Sequence, residues 1–260
     1  MGCNDPYLKA LRSFGYNVIR LPKADVAPLQ LLARNGGALG RIGDLSIVIL
    51  PRGGVALPAI RRDTPAASLS GQRSGELSVG VGLSVLGSII GAMGGSKLGL
   101  DLQYKNARSV TFEFQDVLED RIDVASLDQY LSDADVSPFS THVGQLLEAD
   151  QIYVTTATLK SNKIAVEARS AQDKGLDVSI PEIKGVVGGN VKVGPSSATA
   201  SKVTFEGSLP LVFGFQAARL VYDKGRYQRF ELLREDRALE AAPRSTLIGG
   251  DAAFVKLSDS

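Results

Sequence analysis

The chain contains few side chains that could carry out nucleophilic or metal chemistry. It has one cysteine, Cys3, and one histidine, His142. No G-x-S-x-G elbow, Walker loop, H-E-x-x-H or C-x-x-C sequence occurs, and the Gly-Val-Gly at 80–82 lacks the third glycine of a dinucleotide fingerprint. We therefore expect no ordinary enzyme and no metal or redox cofactor. A hydrolase with His142 as the base, and with Cys3 or a serine as the nucleophile, remains the enzymatic alternative.

Cys3 is a candidate for S-acylation. It follows Gly2 and precedes a predicted amphipathic helix that begins at Asp5 and Pro6, a setting in which palmitoylation occurs. Burial of an acyl chain in a pocket or a membrane contributes ~0.8 kcal/mol per CH₂ group. The Met-Gly start also suggests N-myristoylation, but Pro6 stands where serine or threonine is required. The alternative for Cys3 is an inert thiol near a frayed terminus.

The composition describes a chain that can bury a sizeable core. Its 260 residues suffice for one large or two small domains, with 22% charged residues and a net charge of +1. This balance indicates no general affinity for nucleic acid. A single cysteine excludes an internal disulfide, and the first residues lack the basic and apolar regions of a secretory signal peptide. We expect a protein of a reducing cytoplasm.

The most distinctive pattern covers residues 77–104, called segment one below. Residues 77–96 carry no charge, and large apolar residues alternate with glycine and serine at the start. A strand with such alternation has one apolar face, and a membrane-spanning strand needs about 9–11 residues of this kind. Two arms of a membrane-crossing hairpin are therefore predicted. Their apolar positions are Leu77, Val79, Val81, Leu83 and Val85, followed by Leu98, Leu100 and Leu102.

Segment one also permits other structures. A transmembrane helix could place Gly87 and Gly91 in a G-x-x-x-G spacing, but six glycines between 80 and 95 disfavour a helix. An amphipathic pair of strands without a membrane role is a further alternative. In water, the helical spacing of the apolar residues between the two arms predicts a short helix over 86–95, with these positions on one face: Leu86, Ile89, Ile90 and Met93.

The rest of the chain predicts an α+β fold, a twisted and mostly antiparallel sheet with peripheral helices. Strands are expected at 17–21, 47–50, 110–114, 152–159, 163–169, 203–205, 211–222 and 226–233. A helical turn is expected at 29–33, and amphipathic helices at 124–131 and 139–147. A turn at Ser161 and Asn162 would join two of the strands, and 51–72 would form a long connection.

A second alternating region, residues 163–200, is interrupted by charges. Apolar residues alternate at 164–168 and again at 176–180, and valines recur after a pair of glycines. Asp173, Lys174 and Lys184 break the pattern, and the glycines and other small residues disfavour any single packing. A flexible, solvated excursion is the alternative to a hairpin here.

The C-terminus divides into a linker and an apolar peptide. Residues 234–245 are mostly charged or small and include Pro243, which predicts an exposed linker. Apolar side chains return afterwards at Leu247, Ile248, Phe254, Val255 and Leu257. A linker followed by a short apolar peptide suits a segment that docks on the body of the protein, and simple fraying is the alternative.

The N-terminal sequence MGCNDPYLKALRSFGYNVIRLP, followed by PLQLL and GDLSIVIL, resembles the bacterial gasdermins, prokaryotic relatives of the animal pore-forming gasdermins. The resemblance extends over essentially the whole chain. It rests on residues 1–50, on the two alternating regions and on a short tail in place of a large inhibitory domain. It implies a gasdermin N-domain-like fold with three parts: a pore-forming domain at 1–233, a cleavable linker at 234–245 and an autoinhibitory peptide at 246–260.

The resemblance also implies a function. Bacterial gasdermins are autoinhibited cytoplasmic monomers from which a caspase-like or other protease removes the C-terminal peptide. The released domain forms a large homo-oligomer in the inner membrane, where two regions become β-hairpins of a barrel embedded in the membrane lipids. The resulting leak kills the cell in antiphage defence. A palmitoyl group on Cys3 is implied, and no cofactor, metal or nucleic-acid partner.

For this sequence the resemblance assigns three further sets of residues. The second hairpin would use Ile164, Val166, Leu176, Val178, Ile180, Val191 and Val193. Cleavage is expected at Arg237, Leu239, Arg244 or Leu247. The autoinhibitory contacts would come from Leu247, Ile248, Phe254, Val255 and Leu257. A soluble module that binds acyl chains without forming a pore is the non-enzymatic alternative.

Overall fold

The computed structural model describes residues 15–35, 38–172, 174–176, 178–196, 201–233, 246–247 and 254–256. Within these residues the fold is α+β with a large antiparallel sheet, which confirms the predicted class. The helices are α1 (Leu45–Val48), α2 (Val79–Ala92), α3 (Leu100–Gln103), α4 (Val124–Ser132), α5 (Thr141–Glu148) and α6 (Ile180–Val187). The strands are β1 (Asn17–Lys23), β2 (Gln30–Asn35), β3 (Ala38–Asp44), β4 (Ile49–Pro51), β5 (Arg61–Pro65), β6 (Leu77–Ser78), β7 (Ser109–Gln115), β8 (Leu118–Arg121), β9 (Ala134–Val136), β10 (Ile152–Arg169), β11 (Lys192–Pro195), β12 (Lys202–Asp223), β13 (Arg226–Leu232), β14 (Thr246–Leu247) and β15 (Phe254–Lys256).

Two long strands organise the sheet. β10 has 18 residues, β12 has 22, and they pair antiparallel along most of their length. The strand order is β14-β15-β1-β12-β10-β2-β3. Further along the same two strands, β7 and β8 pair with β10, while β11 and β13 pair with β12. The half formed by β7, β11 and the adjoining ends of β10 and β12, called the distal half below, carries α2, α3 and α6.

Buried apolar side chains form three clusters. Core one lies between the distal half of the sheet and helices α2, α3 and α6; core two lies beneath α4 and α5; core three lies at β1 and β2. In each of these cores, one face of the sheet is buried against helices or other strands, as the amphipathic patterns require. Representative members are Leu86, Val110 and Ile183 in core one, Ile49, Leu127 and Tyr130 in core two, and Ile19, Leu32 and Phe215 in core three.

The turn predicted at Ser161 and Asn162 is wrong, because β10 continues through both residues. Across the ladder, residues 207–210 of β12 face Asn162 alone, so the irregularity is a large bulge within a continuous strand pair. Ser161 Oγ accepts a hydrogen bond from Lys163 N (2.9 Å), and Asn162 Nδ2 donates to the Gly207 carbonyl (3.2 Å). Side chains thus satisfy backbone groups that the bulge removes from the ladder, and the strands predicted on either side become one.

Two predictions near the N-terminus are also wrong. Residues 29–33 lie mostly in strand β2 rather than in a helical turn, and residues 47–50 are divided between α1 and β4. Leu31 and Leu32 are adjacent in β2 and both fully buried, because one belongs to core two and the other to core three. A strand buried on both faces gives a continuous apolar run, which periodicity alone cannot distinguish from a short helix.

The two predicted amphipathic helices are confirmed as α4 and α5. α4 begins after Asp123, whose carboxylate accepts hydrogen bonds from the backbone N–H groups of Ala125 (2.9 Å) and Ser126 (3.0 Å). This N-cap satisfies two donors that a helix start leaves without partners. It also lowers the pKa of Asp123 through those backbone hydrogen bonds.

An ion cluster joins β7 and β12 on the face of the distal half opposite core one. Glu113 of β7 accepts a hydrogen bond from Lys202 of β12 (2.6 Å), and Arg73 lies 3.5 Å from the same carboxylate oxygen. The side chains of Glu113 and Lys202 are only 11% and 12% exposed. Burial raises the pKa of Glu113, but its hydrogen bonds and the two cations outweigh burial, so the net pKa is lowered below the ordinary 4.5.

We expect Glu113→Gln to lower the free energy of unfolding at pH 7 by about 2–3 kcal/mol, because it leaves Lys202 buried without its partner. A carboxylate whose pKa is lowered by folding contributes stability above its unfolded pKa, and the contribution is lost as the pH falls through the folded pKa. The stability difference between the two proteins should therefore stay constant from pH 7 to about 5 and shrink below about 4.5. Urea unfolding at several pH values measures it.

Glu182→Gln is the control for that series, since Glu182 is exposed in the first turn of α6. We expect it to change the stability by less than about 0.5 kcal/mol at every pH. If Glu113→Gln behaves like this control, the buried pair does not stabilise the distal half.

Candidate membrane-insertion segments

Segment one is largely helical in this structure. Leu77 and Ser78 form the short strand β6 against β7, after which the chain enters α2 and then α3. The prediction that both arms are strands is therefore wrong for this state of the protein. The helix predicted between the arms is present, and it begins earlier, so that it contains most of the first arm.

Helix α2 gains little stability from its own sequence. Four of its 14 residues are glycine, and each glycine costs about 1 kcal/mol relative to alanine in a helix. Its N-cap, Ser78, makes no capping hydrogen bond through its side chain, its first turn has no acidic residue and its last turn has no basic residue. Tertiary packing must hold this helix, and Leu86, Ile89 and Ile90 are buried in core one.

Gly82 permits the closest contact between α2 and the sheet. A Cβ atom built on Gly82 would lie 1.9 Å from Cγ2 of Val110 in β7, whose side chain is fully buried. Gly91 in the same helix faces open space, with no atom within 4 Å of such a Cβ. These two glycines of α2 therefore have different roles: the packing of the helix on the sheet requires Gly82 but not Gly91.

The remaining predicted positions of segment one divide between protein and solvent. Leu100 is buried in core one, while Leu77, Val79, Leu83 and Val85 are partly buried against it. Three others are left in water: Val81 is 52% exposed, Leu102 65% and Leu98 79%. Across the described part of the chain, every helix is too short or too polar to cross a bilayer.

Tyr104, at the end of segment one, is fully buried in core one. Its hydroxyl has no hydrogen-bond partner among the described residues, and burial raises its pKa. A buried hydroxyl without a partner destabilises a fold by about 1–3 kcal/mol. The end of segment one is thus packed at an energetic cost.

The second alternating region is divided between the sheet and a helix. The alternating apolar residues at 176–180 do not form a strand in this structure: Leu176 and Val178 lie in a connection, and Ile180 begins α6, whose first turn contains Pro181, where a missing N–H is tolerated. The seven predicted positions lie as follows: Ile164 and Val166 in β10, Leu176 and Val178 in the connection after it, Ile180 at the start of α6, Val191 just before β11 and Val193 within β11.

Sequence reasoning missed two residues that hold this region to the body. Ile183 and Val187 of α6 are buried to 0% and 1% exposure in core one. A signal for them exists in the sequence, since apolar residues at 180, 183 and 187 after a proline have the spacing of one helix face. The neighbouring period-two alternation at 176–180 masked it.

The structure brings the two predicted insertion regions together. The backbone N–H of Ser96, in segment one, donates a hydrogen bond to the carbonyl of Val187 (2.8 Å). Val178, Ile183, Val187 and Val191 share core one with the buried residues of segment one. No sequence pattern indicated this contact.

The C-terminal strands extend one edge of the sheet. β15 pairs antiparallel with β1, with Val255 opposite Val18 and Phe254 opposite Ile19, and β14 pairs with β15. Cα atoms of both strands come within 8 Å of β3. Of the predicted docking residues, Leu247 thus lies in β14, while Phe254 and Val255 lie in β15.

Several predicted positions lie outside the described residues, and their assignments stay predictions. They are Cys3, the cleavage candidates Arg237, Leu239 and Arg244 with the rest of the linker, and the docking residues Ile248 and Leu257. His142, the base of the hydrolase alternative, lies exposed on α5. It therefore lacks the enclosed setting in which a nucleophile and a base are usually held.

Comparison with known proteins identifies the family. A sequence model of the Bacterial Gasdermin Family matches residues 19–226. The chain belongs to the bacterial gasdermin family. Gasdermins are pore-forming proteins rather than enzymes, and the resemblance drawn from the N-terminal sequence is confirmed.

Individual bacterial gasdermins match over most of their length. The chain is 52% identical over 264 residues to gasdermin bGSDM of a Desulfuromonadales bacterium, covering 99% of each protein. It is 43% identical over 233 residues to gasdermin bGSDM of Lysobacter enzymogenes, covering 89% of this chain and 86% of the relative. A solved structure of a bacterial gasdermin from Bradyrhizobium tropiciagri superimposes with a TM-score of 0.57 at 18% identity, covering 88% and 92% of the two chains, which shows that the fold is shared.

Two alanine substitutions in α2 test whether packing, rather than propensity, holds this gasdermin helix. Gly91→Ala should raise the free energy of unfolding by about 0.5–1 kcal/mol, because it improves helix propensity without meeting another atom. Gly82→Ala should lower it by about 1–3 kcal/mol, because the new methyl group forces Val110 out of its place. Thermal and urea unfolding of the two variants measure both effects, and a stabilising Gly82→Ala would contradict the packing role.

Proposed function

We propose that this gasdermin is a latent pore former that proteolysis activates to permeabilise the bacterial inner membrane during antiphage defence. The intact chain would be a cytoplasmic monomer. After cleavage between the body and the C-terminal strands, segment one and the second region would refold as β-hairpins. Hairpins from many copies would close a barrel in the membrane, because only a closed barrel satisfies every backbone group of membrane-spanning strands.

One observation carries this proposal: segment one has the apolar alternation of a membrane strand but is a glycine-rich, uncapped helix in the latent fold. Its helical state depends on contacts with core one, as the preceding section describes. Lipid would provide the alternative shelter, at roughly 25 cal/mol per Å² of apolar surface removed from water. A helix with weak propensity gives up little intrinsic stability when it converts to a strand.

The exposed residues of segment one also favour conversion from a helix in the protein to a hairpin in the membrane. Val81, Leu98 and Leu102 remain largely in water in the latent fold. On the apolar face of a hairpin, the exposed part of each side chain would be transferred from water to hydrocarbon. Burial of a Val or Leu side chain contributes about 1.5–3 kcal/mol, so these residues favour the inserted state over the latent one.

The C-terminal strands are suited to hold the latent state. β15 pairs with β1, and Cα atoms of β1 in turn come within 8 Å of α2 of segment one. A tail attached through residues 234–245 has a high effective concentration at this edge, and a cut in the linker removes that advantage. Arg237, Leu239 and Arg244 are the proposed cleavage positions for a caspase-like or other protease, and Leu247, which lies in β14, is the fourth.

A palmitoyl group on Cys3 is part of the proposal. The acyl chain would strengthen attachment to the membrane by about 0.8 kcal/mol for each CH₂ group that it buries. The intact mass of the protein from its native host tests it, and an unmodified mass in both the soluble and the membrane fraction would remove the lipid from the mechanism.

Truncation of the tail is the direct test of function. A chain that ends at Arg237 should release an encapsulated dye from liposomes, whereas the full chain at the same concentration should not. The physical reason is loss of β14 and β15, which frees the β1 edge. If the shortened chain binds lipid without releasing dye, the protein is an acyl-chain-binding module rather than a pore former.

Val81→Asp separates insertion from folding. Val81 is already 52% exposed, so the variant should keep the stability of the parent within about 0.5 kcal/mol. A charge on the lipid face of a membrane strand is unfavourable, by about 2–4 kcal/mol per copy for Lys or Arg near the midplane and by less for Asp, and the cost recurs in every copy of the oligomer. In the truncated chain, dye release should therefore fall by at least tenfold.

Val124→Asp is the matched control for Val81→Asp. Val124 is also exposed (39%) but begins α4, outside both insertion regions. The truncated control chain should leak as fast as the parent. Equal leakage from the Val81 variant would show that segment one stays out of the membrane.

A further inference from the structure

The two regions that would form hairpins are packed against each other as well as against the sheet. We define segment two as residues 176–193, the part of the second region that leaves the long strands. Its helix α6 contacts α3 of segment one. Ile183 and Val187 of α6 have 0% and 1% exposure in the cluster that also contains Leu86 and Leu100.

Polar contacts join the same two segments. Ser96 N donates to the Val187 carbonyl at 2.8 Å, and the side-chain amide of Asn190 donates to the Gly94 carbonyl at 3.1 Å. Both acceptors are backbone carbonyls near the ends of helices, where partners within the helix are missing. Each segment therefore satisfies a backbone group of the other.

Gly95 makes this contact too close to loosen gradually. A Cβ atom on Gly95 would lie 2.8 Å from Ile90, 2.9 Å from Val191 and 3.1 Å from Val187. The last two residues belong to segment two. Close-packed surfaces of this kind lose their contacts together once a gap opens between them, because dispersion attraction falls steeply with distance.

Release of one segment would thus leave the other unstable. If segment one moved away, Ile183, Val187 and Val191 would be exposed to water. If segment two moved away, Leu100 and Ile90 would lose their cover. Exposing several fully buried side chains is strongly unfavourable.

We infer that segments one and two are a single cooperative unit that opens and leaves the body together. The biological role of this unit rests on the proposed function. In a pore former with such a unit, no molecule would insert one hairpin without the other. The cooperative unit itself is a property of the latent chain. Its boundary would run along β7, β10 and β12, and the helices over core two would stay folded when it opens.

Amide hydrogen exchange of the full-length, uncleaved chain tests the inference. Ile183→Ala removes a fully buried side chain of segment two and should favour opening of the unit by about thirtyfold or more. Exchange should accelerate by the same factor in α6 and in α2, while α4 and α5 keep the rates of the parent. Acceleration confined to α6, or spread equally over α4 and α5, would overturn the inference.

Ile49→Ala is the matched control, because Ile49 is also an isoleucine of 0% exposure but belongs to core two. It should accelerate exchange around α4 and leave α2 and α6 unchanged. The reciprocal variant Leu86→Ala, in segment one, should accelerate exchange in α6, because coupling between two sites acts equally in both directions. A one-way effect would overturn the inference.

A milder pair of variants covers the case in which Ile183→Ala fails to fold. Asn190→Ala removes only the amide bond to the Gly94 carbonyl and should accelerate exchange in both segments by about two- to fivefold. Asn162→Ala removes an equivalent amide-to-carbonyl bond within the sheet and should leave α6 unchanged. Acceleration in α6 alone after Asn190→Ala would contradict the single unit.

These measurements need neither membrane nor protease. If the exchange results hold and the chain truncated at Arg237 leaves liposomes sealed, the proposed function is wrong and the cooperative unit stands. If the truncated chain leaks while the segments exchange independently, the pore-forming proposal stands and the unit does not.

Discussion

The packing of α2 on the distal half of the sheet is the contact on which this fold depends. The helix has neither the propensity nor the caps to exist by itself, and glycine at position 82 lets it approach Val110 at van der Waals distance. A segment held in this way has its free energy set by its surroundings rather than by its own sequence. Such a segment can change secondary structure when its surroundings change.

The long strands β10 and β12 provide the fixed frame for that change. Bulges near Ser161 let both strands run on without a turn, so the half that carries cores two and three is continuous with the half that carries segments one and two. The ion cluster around Glu113 and Lys202 ties β7 to β12 on the opposite face. The proposed refolding of the segments would therefore start from strands that already exist, with β7 and the ends of β10 and β12 as the stems of the hairpins.

Several elements could be predicted because their patterns have one interpretation. The helices α4 and α5 have clear helical spacing and, for α4, an aspartate N-cap. The strand with Val110, Phe112 and Phe114 alternates cleanly, and it lies where expected as β7. The mistakes fall where two interpretations compete: β2 is buried on both faces, the bulge at Ser161 imitates a turn, and the alternation at 176–180 runs into a helix that starts at Ile180.

Segment one shows most clearly which properties follow from the sequence and which follow from the tertiary structure. By itself the sequence determined the family, the absence of charge over residues 77–96 and the period-two distribution of apolar side chains, since all three are properties of residue order. Only the tertiary structure decided that those residues are helical here, which of them face water, and that they share a core with α6. The physical reason is that a weak helix former takes the conformation that buries the most apolar surface, and that surface belongs to residues far away in the chain.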